Sequence, residues 1–449
     1  MLRWLGRNLS IFVGLAAVGG LLVLRASDPQ FLAHLRLLAF DSYQRIQPRA
    51  HEDAPVVIVD IDDASLEKLG QWPLPRTILA ALVDRLMRLQ AATIGIDVLL
   101  AEPDRTSPAE ILRAWGASLR AAPDLAAFHR TLDAVPDPDR VLAAVIGRPD
   151  AKVVTGFALG VDVMPRVPVV KAEFATAGDA LQRFAWRFAG AVASLTAFES
   201  AAKGNGALNV IIDYDTILRR VPLVLSLDRG GGSTGPTLYP SLVAEALRVA
   251  QGARTLIVRS SGARGEASLG ESTGMVSIKI GRYEIPVTAR GEIWVHYARP
   301  RADRYVPAWQ VLDGGVPPAR IAGKVVLIGT SAIGVRDIRA TPLRPDMPGV
   351  EVHAQALEQV LTGAFLTRPD WIYGLEVLVL ALSGLVVVVL LRLAGPRLGA
   401  VVVIGAIAAS AGASWYCFSV QRLLLDPVYP ALLPIVLYLC MSTLSTARR

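Results

Sequence analysis

Acidic side chains follow two runs of apolar residues that have the composition of buried strands, Val56 to Val59 and Thr93 to Leu99. The acids at or after the ends of these runs are Asp60, Asp62, Asp63, Asp97 and Glu102. Because the carboxyl ends of parallel strands meet at one edge of a sheet, where open α/β sheets bind ligands, we expect these carboxylates to converge. Carboxylate oxygens there could hold Ca²⁺, Mg²⁺ or a cationic ligand.

Other polar and aromatic residues are expected at the same edge. A third apolar run, Lys324 to Ile328, ends at Gly329-Thr330-Ser331, and a turn rich in proline places Trp72 shortly before Arg76. The predicted ligand-binding residues are Asp60, Asp62, Asp63, Trp72, Arg76, Asp97, Thr330 and Ser331. The alternative is structural: Asp60 and Asp97 would cap helices and pair with Arg76, and Trp72 would pack under its turn.

Catalytic motifs are incomplete in this sequence. Asp60-Ile61-Asp62 resembles the nucleophile loop of haloacid-dehalogenase phosphatases, but Asp63 stands where those enzymes have Thr or Val. Gly329 to Gly334 also misses the spacing of a nucleophile elbow. We therefore expect no enzyme, no catalytic residue, no resident metal and no cofactor.

The elements that would position these residues alternate between strand and helix. Leu79, Leu82, Val83, Leu86 and Leu89 recur at helical spacing between the first two strands, which predicts a right-handed parallel crossover. Further predicted strands are Ala151 to Leu159, Ala207 to Ile212, Val221 to Leu227, Val276 to Ile280 and Ile293 to Tyr297, and further predicted helices are Phe31 to Phe40, Pro240 to Val249 and Val350 to Leu361. The predicted fold is an α/β domain with a largely parallel central sheet.

Four long apolar stretches predict transmembrane helices, one before this domain and three after it. They are Leu9 to Leu24, Ile372 to Leu391, Leu398 to Phe418 and Val428 to Leu444. The predicted boundaries are 1–25 for the first helix, 26–370 for the exported domain, and 371–392, 398–418 and 428–445 for the other helices. No small-x-small cleavage site follows Leu24, so the first helix is expected to stay as an anchor.

The positive charge lies beside these stretches. Of the net charge of +7, residues 1–25 and 371–449 carry +3 each, so the exported domain is close to neutral and offers no basic face for nucleic acid. The arginines of the flanks are Arg3, Arg7, Arg392, Arg397, Arg448 and Arg449. By the positive-inside rule both termini should be cytoplasmic and the exported domain outside, in the periplasm of a Gram-negative host.

Three further residues in and beside the predicted helices could carry a function. Glu376 is an acid inside a predicted span, and Arg422 lies at the same membrane face, so an ion pair between them is predicted. His353 lies on the helix before the second span, where it is either a packing residue or a switch that protonates below neutral pH.

Seven blocks of sequence resemble the CHASE2 extracellular sensor domain. In order, they are Val56–Leu66 (VVIVDIDDASL), Gly70–Arg76 (GQWPLPR), Ile94–Asp97 (IGID), Leu218–Pro222 (LRRVP), Tyr239–Leu242 (YPSL), Gly323–Thr330 (GKVVLIGT) and Met347–Ala354 (MPGVEVHA). The resemblance implies a bacterial inner-membrane receptor that detects an unknown extracytoplasmic ligand.

In the family, three spans usually lead to a cytoplasmic adenylate cyclase or kinase. No such effector motif follows Leu444, so the chain is expected to be the input half of a longer protein or a short member that acts on a partner. A homodimer is expected because such outputs generally work as pairs. The alternative is a scaffold component of a membrane complex that senses nothing.

Overall fold

The computed structural model describes residues 2–50, 55–119, 135–161, 166–228, 235–263, 274–335 and 337–446. The chain divides into two compact units: a helical unit of Met1–Pro48 and Leu366–Arg449, and an α/β unit of Arg49–Phe365. Arg448 and Arg449, which helped to orient the chain above, lie outside the described residues.

Helices occur in both units and are numbered in chain order. They are α1 Leu2–Ser27, α2 Gln30–Ile46, α3 Asp63–Leu69, α4 Arg76–Arg88, α5 Pro108–Leu119, α6 Pro138–Ile146, α7 Thr196–Ala201, α8 Leu242–Ala250, α9 Ala308–Asp313, α10 Gly349–Thr362, α11 Trp371–Tyr416 and α12 Val428–Thr446. Helices α1, α2, α11 and α12 belong to the helical unit.

Three helical segments within the described residues are long and apolar enough to cross a membrane: Leu9–Ser27, Trp371–Ala394 and Leu398–Gln421. They coincide with the first three predicted spans. The fourth prediction falls on the shorter apolar segment Val428–Thr443.

Helix α11 contains two of these segments and reverses direction between them. A straight helix would separate Glu376 from Ser414 by about 57 Å, at 1.5 Å per residue. Instead, Glu376 accepts a hydrogen bond from the backbone N–H of Asp426, while Ser414 donates to the carbonyl of the adjacent Leu425. The turn lies between Leu391 and Gly399, because a Cβ atom on Gly399 would be 3.2 Å from the Leu391 side chain.

The helical unit has its own apolar core, which brings α1, α11 and α12 together. Val18, Leu380, Leu433 and Leu437 are among its buried residues. Glycines allow a close approach of α1 and α11: a Cβ atom on Gly384 of α11 would lie 2.8 Å from a methyl carbon of Val18 in α1. Small residues at such crossings let membrane helices pack closely.

Strands occur only in the α/β unit among the described residues. They are β1 Val56–Asp60, β2 Thr93–Leu99, β3 Val153–Gly160, β4 Glu173–Ala177, β5 Trp186–Phe188, β6 Gly190–Val192, β7 Gly204–Ala207, β8 Arg220–Pro222, β9 Val224–Leu227, β10 Thr237–Pro240, β11 Thr255–Ser260, β12 Met275–Ile280, β13 Tyr283–Pro286, β14 Glu292–Trp294, β15 Tyr305–Pro307, β16 Val325–Gly329, β17 Ile338–Arg339 and β18 Met347–Pro348.

The largest sheet in the described part of the chain has the order β15-β1-β16-β2-β3-β6, and β7 also pairs with β3. Strands β15, β1, β16, β2 and β3 pair in parallel along this order, as do β3 and β7, whereas β3 and β6 are antiparallel. Smaller sheets follow the orders β10-β9-β5 and β13-β12-β11-β4. The carboxyl ends of β1, β16 and β2 therefore lie side by side.

The two faces of this sheet are covered by different helices. Val57 and Val59 of β1 belong to one apolar cluster with Leu82 of α4, while Val56 and Ile58 belong to another that contains residues of α8 and α10. Strands buried on both faces become continuous apolar runs, which is why β1, β2 and β16 were visible in the sequence. The predicted α/β class is confirmed.

Three predicted strands differ from the structure, and one of them is Ile293 to Tyr297, of which only Ile293 and Trp294 lie in β14. The run Ala207 to Ile212 is not one strand: β7 ends at Ala207 and begins at Gly204. The glycines of β7 give it no apolar pattern, so the sequence did not predict it. The close packing of β7 against α8 requires glycine, because a Cβ atom on Gly206 would lie 2.7 Å from the Cα atom of Leu242. The predicted strand Val221 to Leu227 is divided at Leu223 into β8 and β9, which join different partners.

Candidate ligand site at the carboxyl edge of the sheet

The loops after β1 and β16 are joined where these parallel strands end. Ile61 donates its backbone N–H to the carbonyl of Gly329 at 2.9 Å, and Thr330 Oγ1 donates to the carbonyl of Ile61 at 2.9 Å. Sequence reasoning placed Asp60, Thr330 and Ser331 together, and the structure brings them together.

Asp60 is buried at this junction. Its Oδ1 accepts the backbone N–H of Ser331 at 2.9 Å, and its Oδ2 accepts the Ser331 hydroxyl at 2.6 Å. Burial raises the pKa of Asp60 to about 6; the bonds from Ser331 oppose the shift, and the charges of Asp62 and Asp63 add to it. Asp60 therefore holds a proton at a higher pH than an ordinary aspartate does.

The neighbouring carboxylates of Asp62 and Asp63 accept hydrogen bonds from backbone N–H groups. Asp62 is the N-cap of α3, because its Oδ1 accepts the backbone N–H of Ser65 at 2.7 Å. Asp63 accepts the backbone N–H of Ile333 at 3.2 Å. No group of three or more His, Cys, Asp or Glu side chains among the described residues is arranged to hold a metal ion. The structural alternative expected Asp60 and Asp97 to be helix caps, whereas the acid that caps a helix at this edge is Asp62.

Asp97 lies against helix α10. Its Oδ2 is 2.9 Å from Nδ1 of His353, and both side chains are buried. Burial lowers the pKa of His353, but the charge and hydrogen bond of Asp97 outweigh it, so the pKa is raised. The sequence identified both residues and gave no sign that they meet.

A cavity of about 290 Å³ opens beside these loops. Its wall includes Ile61 after β1, Trp72 and Arg76 at the start of α4, and Val98 and Glu102 around the end of β2. Of the predicted ligand residues, Trp72 and Arg76 line the cavity, while the carboxylates of Asp60, Asp62, Asp63 and Asp97 are engaged in the contacts above. The open part of the predicted site is therefore the half around Trp72 and Arg76.

Arg76 is held from one side by acids that the sequence did not pair with it. Its backbone N–H donates to Asp104, and its Nη2 donates to the carbonyl of Glu102 at 3.2 Å. Its Nε is 3.7 Å from Oδ1 of Asp139, and neither of these buried atoms has a hydrogen-bond partner among the described residues. Burial lowers the pKa of Arg76, against the opposing charges of Asp139, Asp104 and Glu102.

The structural alternative for Arg76 was an ion pair with Asp60 or Asp97. The structure gives Asp139 as the ion-pair partner of the guanidinium instead, while Asp104 accepts the backbone N–H of Arg76, because Arg76 begins α4 and faces the loop after β2 and the start of α6. Asp137-Pro138-Asp139, a helix start with Asp137 as N-cap, is the sequence signal that places acids there.

In the helical unit, Glu376 has different partners from the predicted one. Its Oε2 pairs with Arg25 at 2.7 Å and with Arg368 at 2.8 Å, and its Oε1 accepts the backbone N–H of Asp426. The predicted pair with Arg422 is therefore wrong. The sequence gives the depth of Glu376 along its helix, whereas the neighbours it faces depend on how α1 packs on α11.

The charged cluster extends beyond Glu376. Arg36 pairs with Asp28 at 2.7 Å and with Asp426 at 2.9 Å, and the guanidinium of Arg25 lies 4.9 Å from the ring centre of Tyr373. Arg25 is 3% exposed, so one of the three positive charges of residues 1–25 is buried in this unit. We call Arg25, Asp28, Arg36, Arg368, Glu376 and Asp426 the charged cluster of the helical unit; it links α1, α2, α11 and the segment before α12.

Comparisons with known proteins agree with the sequence blocks. The CHASE2 domain family matches residues 13–391, most of the chain. The searches of curated proteins and of solved structures each returned no match. CHASE2 is a sensor domain that is typically extracytoplasmic. With its apolar helices and α/β unit, this chain belongs to the CHASE2 family.

Proposed function

We propose that this protein is a membrane-bound signalling receptor whose α/β unit senses an extracytoplasmic cue. The CHASE2 match, which runs from residue 13 in α1 to residue 391 in α11, carries the proposal. The match includes the α/β unit together with helical segments before and after it, which supports a role for the sensor domain together with its membrane connections.

The proposed topology has four spans in the bacterial inner membrane. Helix α12 has 19 residues. That gives about 28 Å at 1.5 Å per residue, close to the hydrocarbon thickness of about 30 Å. An even number of spans puts both termini on one side, and the arginines of the flanks favour the cytoplasm. The α/β unit, which lies between α2 and α11 in the chain, is then periplasmic or extracellular.

The proposed output is a cytoplasmic adenylate cyclase or kinase, in the same polypeptide or in a partner, and the role of this chain is input rather than catalysis. The α/β unit is connected to the helical unit at both its ends, Arg49 and Phe365. A change in the α/β unit that alters the distance between these ends would shift α1 and α2 relative to α11. We propose that a homodimer transmits this shift.

Cysteine labelling tests the topology. The sequence has two cysteines, Cys417 and Cys440. In a chain with both replaced by alanine, Val161→Cys, at a site 81% exposed, should react with a membrane-impermeant maleimide in intact spheroplasts. Pro396→Cys, in the short stretch between the apolar segments Trp371–Ala394 and Leu398–Gln421 that the proposed topology places in the cytoplasm, should react only after permeabilisation. The opposite pattern would exclude an external sensor.

A thermal-shift screen tests sensing against the scaffold alternative. The full chain in lipid nanodiscs is heated with panels of small anions, cations, sugars and amino acids. A sensor should be stabilised by at least one class, because a ligand that binds the folded state raises its stability. If every class leaves the transition temperature unchanged, the scaffold function is favoured instead.

A further inference from the structure

The cavity beside Trp72 and Arg76 has the composition of a binding site for a small organic molecule. Its volume of about 290 Å³ is at the lower end of the range for ligand pockets. The lining is mostly apolar, with Ile61, Leu74 and Val98 among its residues, and Arg76, Trp72 and Glu102 bring polar groups to it. A ligand here would bury a small apolar body and present few polar atoms.

Arg76 is the buried charge of this wall. Its side chain is 9% exposed. Within the described ranges its Nη2 bonds to one carbonyl, and its buried Nε has no hydrogen-bond partner. A guanidinium carries five N–H donors, so Arg76 has at least one buried donor that no described group accepts. Buried cations with unused donors favour an oxyanion as partner, since charge-assisted hydrogen bonds are the strongest kind.

The nearby acids do not use up these donors. The Asp104 carboxylate accepts the backbone N–H of Arg76 and both the N–H and the hydroxyl of Thr106. Oδ2 of Asp139 accepts the backbone N–H of Asp104. Glu102 is exposed, so water screens its charge, whereas Arg76 is buried. An anion in the cavity would therefore meet the donors that these acids leave on Arg76.

We infer that this cavity binds a small carboxylate with an apolar body, whose carboxylate pairs with Arg76 and whose body packs against Trp72 and the aliphatic wall. A planar carboxylate matches the fork of a guanidinium with two parallel hydrogen bonds. The inference rests on the proposed sensor function and names the chemical class of its cue.

Calorimetric titration of the full chain in nanodiscs tests the inference, with empty nanodiscs as blank. The probes are benzoate and unbranched carboxylates of four to eight carbons, each beside its primary amide and the amine of the same length. Carboxylates should bind, amides should bind at least about tenfold more weakly, and amines should not bind, because the charged hydrogen bonds are lost.

Variants localise the binding. Arg76→Gln should weaken carboxylate binding at least about tenfold. Arg88→Gln should leave it unchanged, since Arg88 is on the same helix but 68% exposed and paired with Asp84. Ala101→Phe, which fills the cavity and keeps Arg76, should abolish binding even if Arg76→Gln disturbs folding. Equal binding by wild type, Arg76→Gln and Ala101→Phe would overturn the inference.

The two proposals fail in different ways. If amines or sugars stabilise the chain and carboxylates do not, the chemical class inferred here is wrong while sensing stands. If carboxylates bind at Arg76 but signalling output is indifferent to them, the site stands and its role as sensor input is overturned.

Discussion

Nδ1 of His353 lies 2.9 Å from Oδ2 of Asp97, which joins helix α10 to the end of strand β2 although the two residues are 256 positions apart. Asp337 and Arg339 also act on His353, with opposite effects on its pKa. Nε2 of His353 is buried and has no partner among the described residues, so Asp97 is the contact that orients the ring. This pair links the central sheet to the last helix of the α/β unit.

The first prediction is that the Asp97–His353 pair makes stability depend on pH. The pKa of His353 is raised in the folded state, so protonation favours folding. The stabilisation is present below the unfolded pKa of about 6.5 and is lost as pH rises through the folded value. Asp97→Asn should therefore cost more at pH 6 than at pH 9, by about 1–3 kcal/mol. Chemical denaturation of the wild type and of Asp97→Asn at pH 6 and pH 9 measures this loss of stability. A loss that does not depend on pH would contradict the Asp97–His353 pair.

The second prediction concerns Asp60. Its folded pKa of about 6 exceeds the unfolded value of 3.8, so the folded state keeps the proton to a higher pH. Stability should fall as pH rises from about 4 to about 6, by at most about 3 kcal/mol. Asp60→Asn should flatten this step, because an amide has no proton to release in this range, and its oxygen can still accept the backbone N–H of Ser331. Denaturation midpoints between pH 4 and pH 7 report it; an unchanged step in the variant would show that another group titrates.

The third prediction is that Ser331→Ala raises the pKa of Asp60. The hydroxyl of Ser331 bonds to Oδ2 of Asp60 and lowers its pKa. Removing the hydroxyl should raise that pKa further and shift the stability step to higher pH. Carboxyl titration by infrared difference spectroscopy, with Asp60→Asn to identify the band, provides the measurement. A shift to lower pH would mean that the hydroxyl does not stabilise the ionised form.

The fourth prediction tests the charged cluster of the helical unit. Glu376→Gln removes the nearer of the two carboxylates that pair with buried Arg25 and leaves Asp28 at 3.5 Å, at a cost of at most about 3–5 kcal/mol. Arg25→Gln, Glu376→Gln and the double variant are compared by thermal unfolding in nanodiscs. The two substitutions should show a coupling free energy of about 0.5–3 kcal/mol. The matched control is Arg422→Gln, which should be additive with Glu376→Gln. Strong coupling to Arg422 instead would restore the pair expected from the sequence.

The fifth prediction concerns helix packing at Gly384. A Cβ atom there would lie 2.8 Å from Val18, whereas nothing lies within 4 Å of a Cβ on Gly405 in the same helix. Gly384→Val should overpack this contact, destabilise the helical unit by about 1–3 kcal/mol and so lower its transition temperature. Gly405→Val should change it little. Equal effects of the two variants would mean that α1 does not pack on α11 at this point.

The buried strands of the α/β unit were predictable because each is an apolar run with both faces covered. The strand predicted over Thr93–Leu99 has those bounds in the structure. Strands with glycines or short alternating patterns were not predicted. One of them is β7, where close packing against α8 requires glycine and leaves no apolar pattern in the sequence.

The candidate site was predictable in part for a related reason. A parallel sheet fixes which loops meet, so the proximity of Asp60 and Ser331 followed from topology. The partners of Arg76 and Glu376 did not, because they depend on the rotation of one element against another. The roles given to the ligand residues and the predicted domain boundaries stay predictions.

The central claim is that a cue outside the membrane changes an output inside it. The direct measurement uses the full chain with an adenylate cyclase fused after Arg449, in right-side-out vesicles loaded with ATP. A small carboxylate added outside should change cyclic AMP production at least about twofold in wild type and not in Ala101→Phe, as a shift between two receptor states requires. Cyclic AMP production that stays constant for every solute class added outside would contradict a sensor.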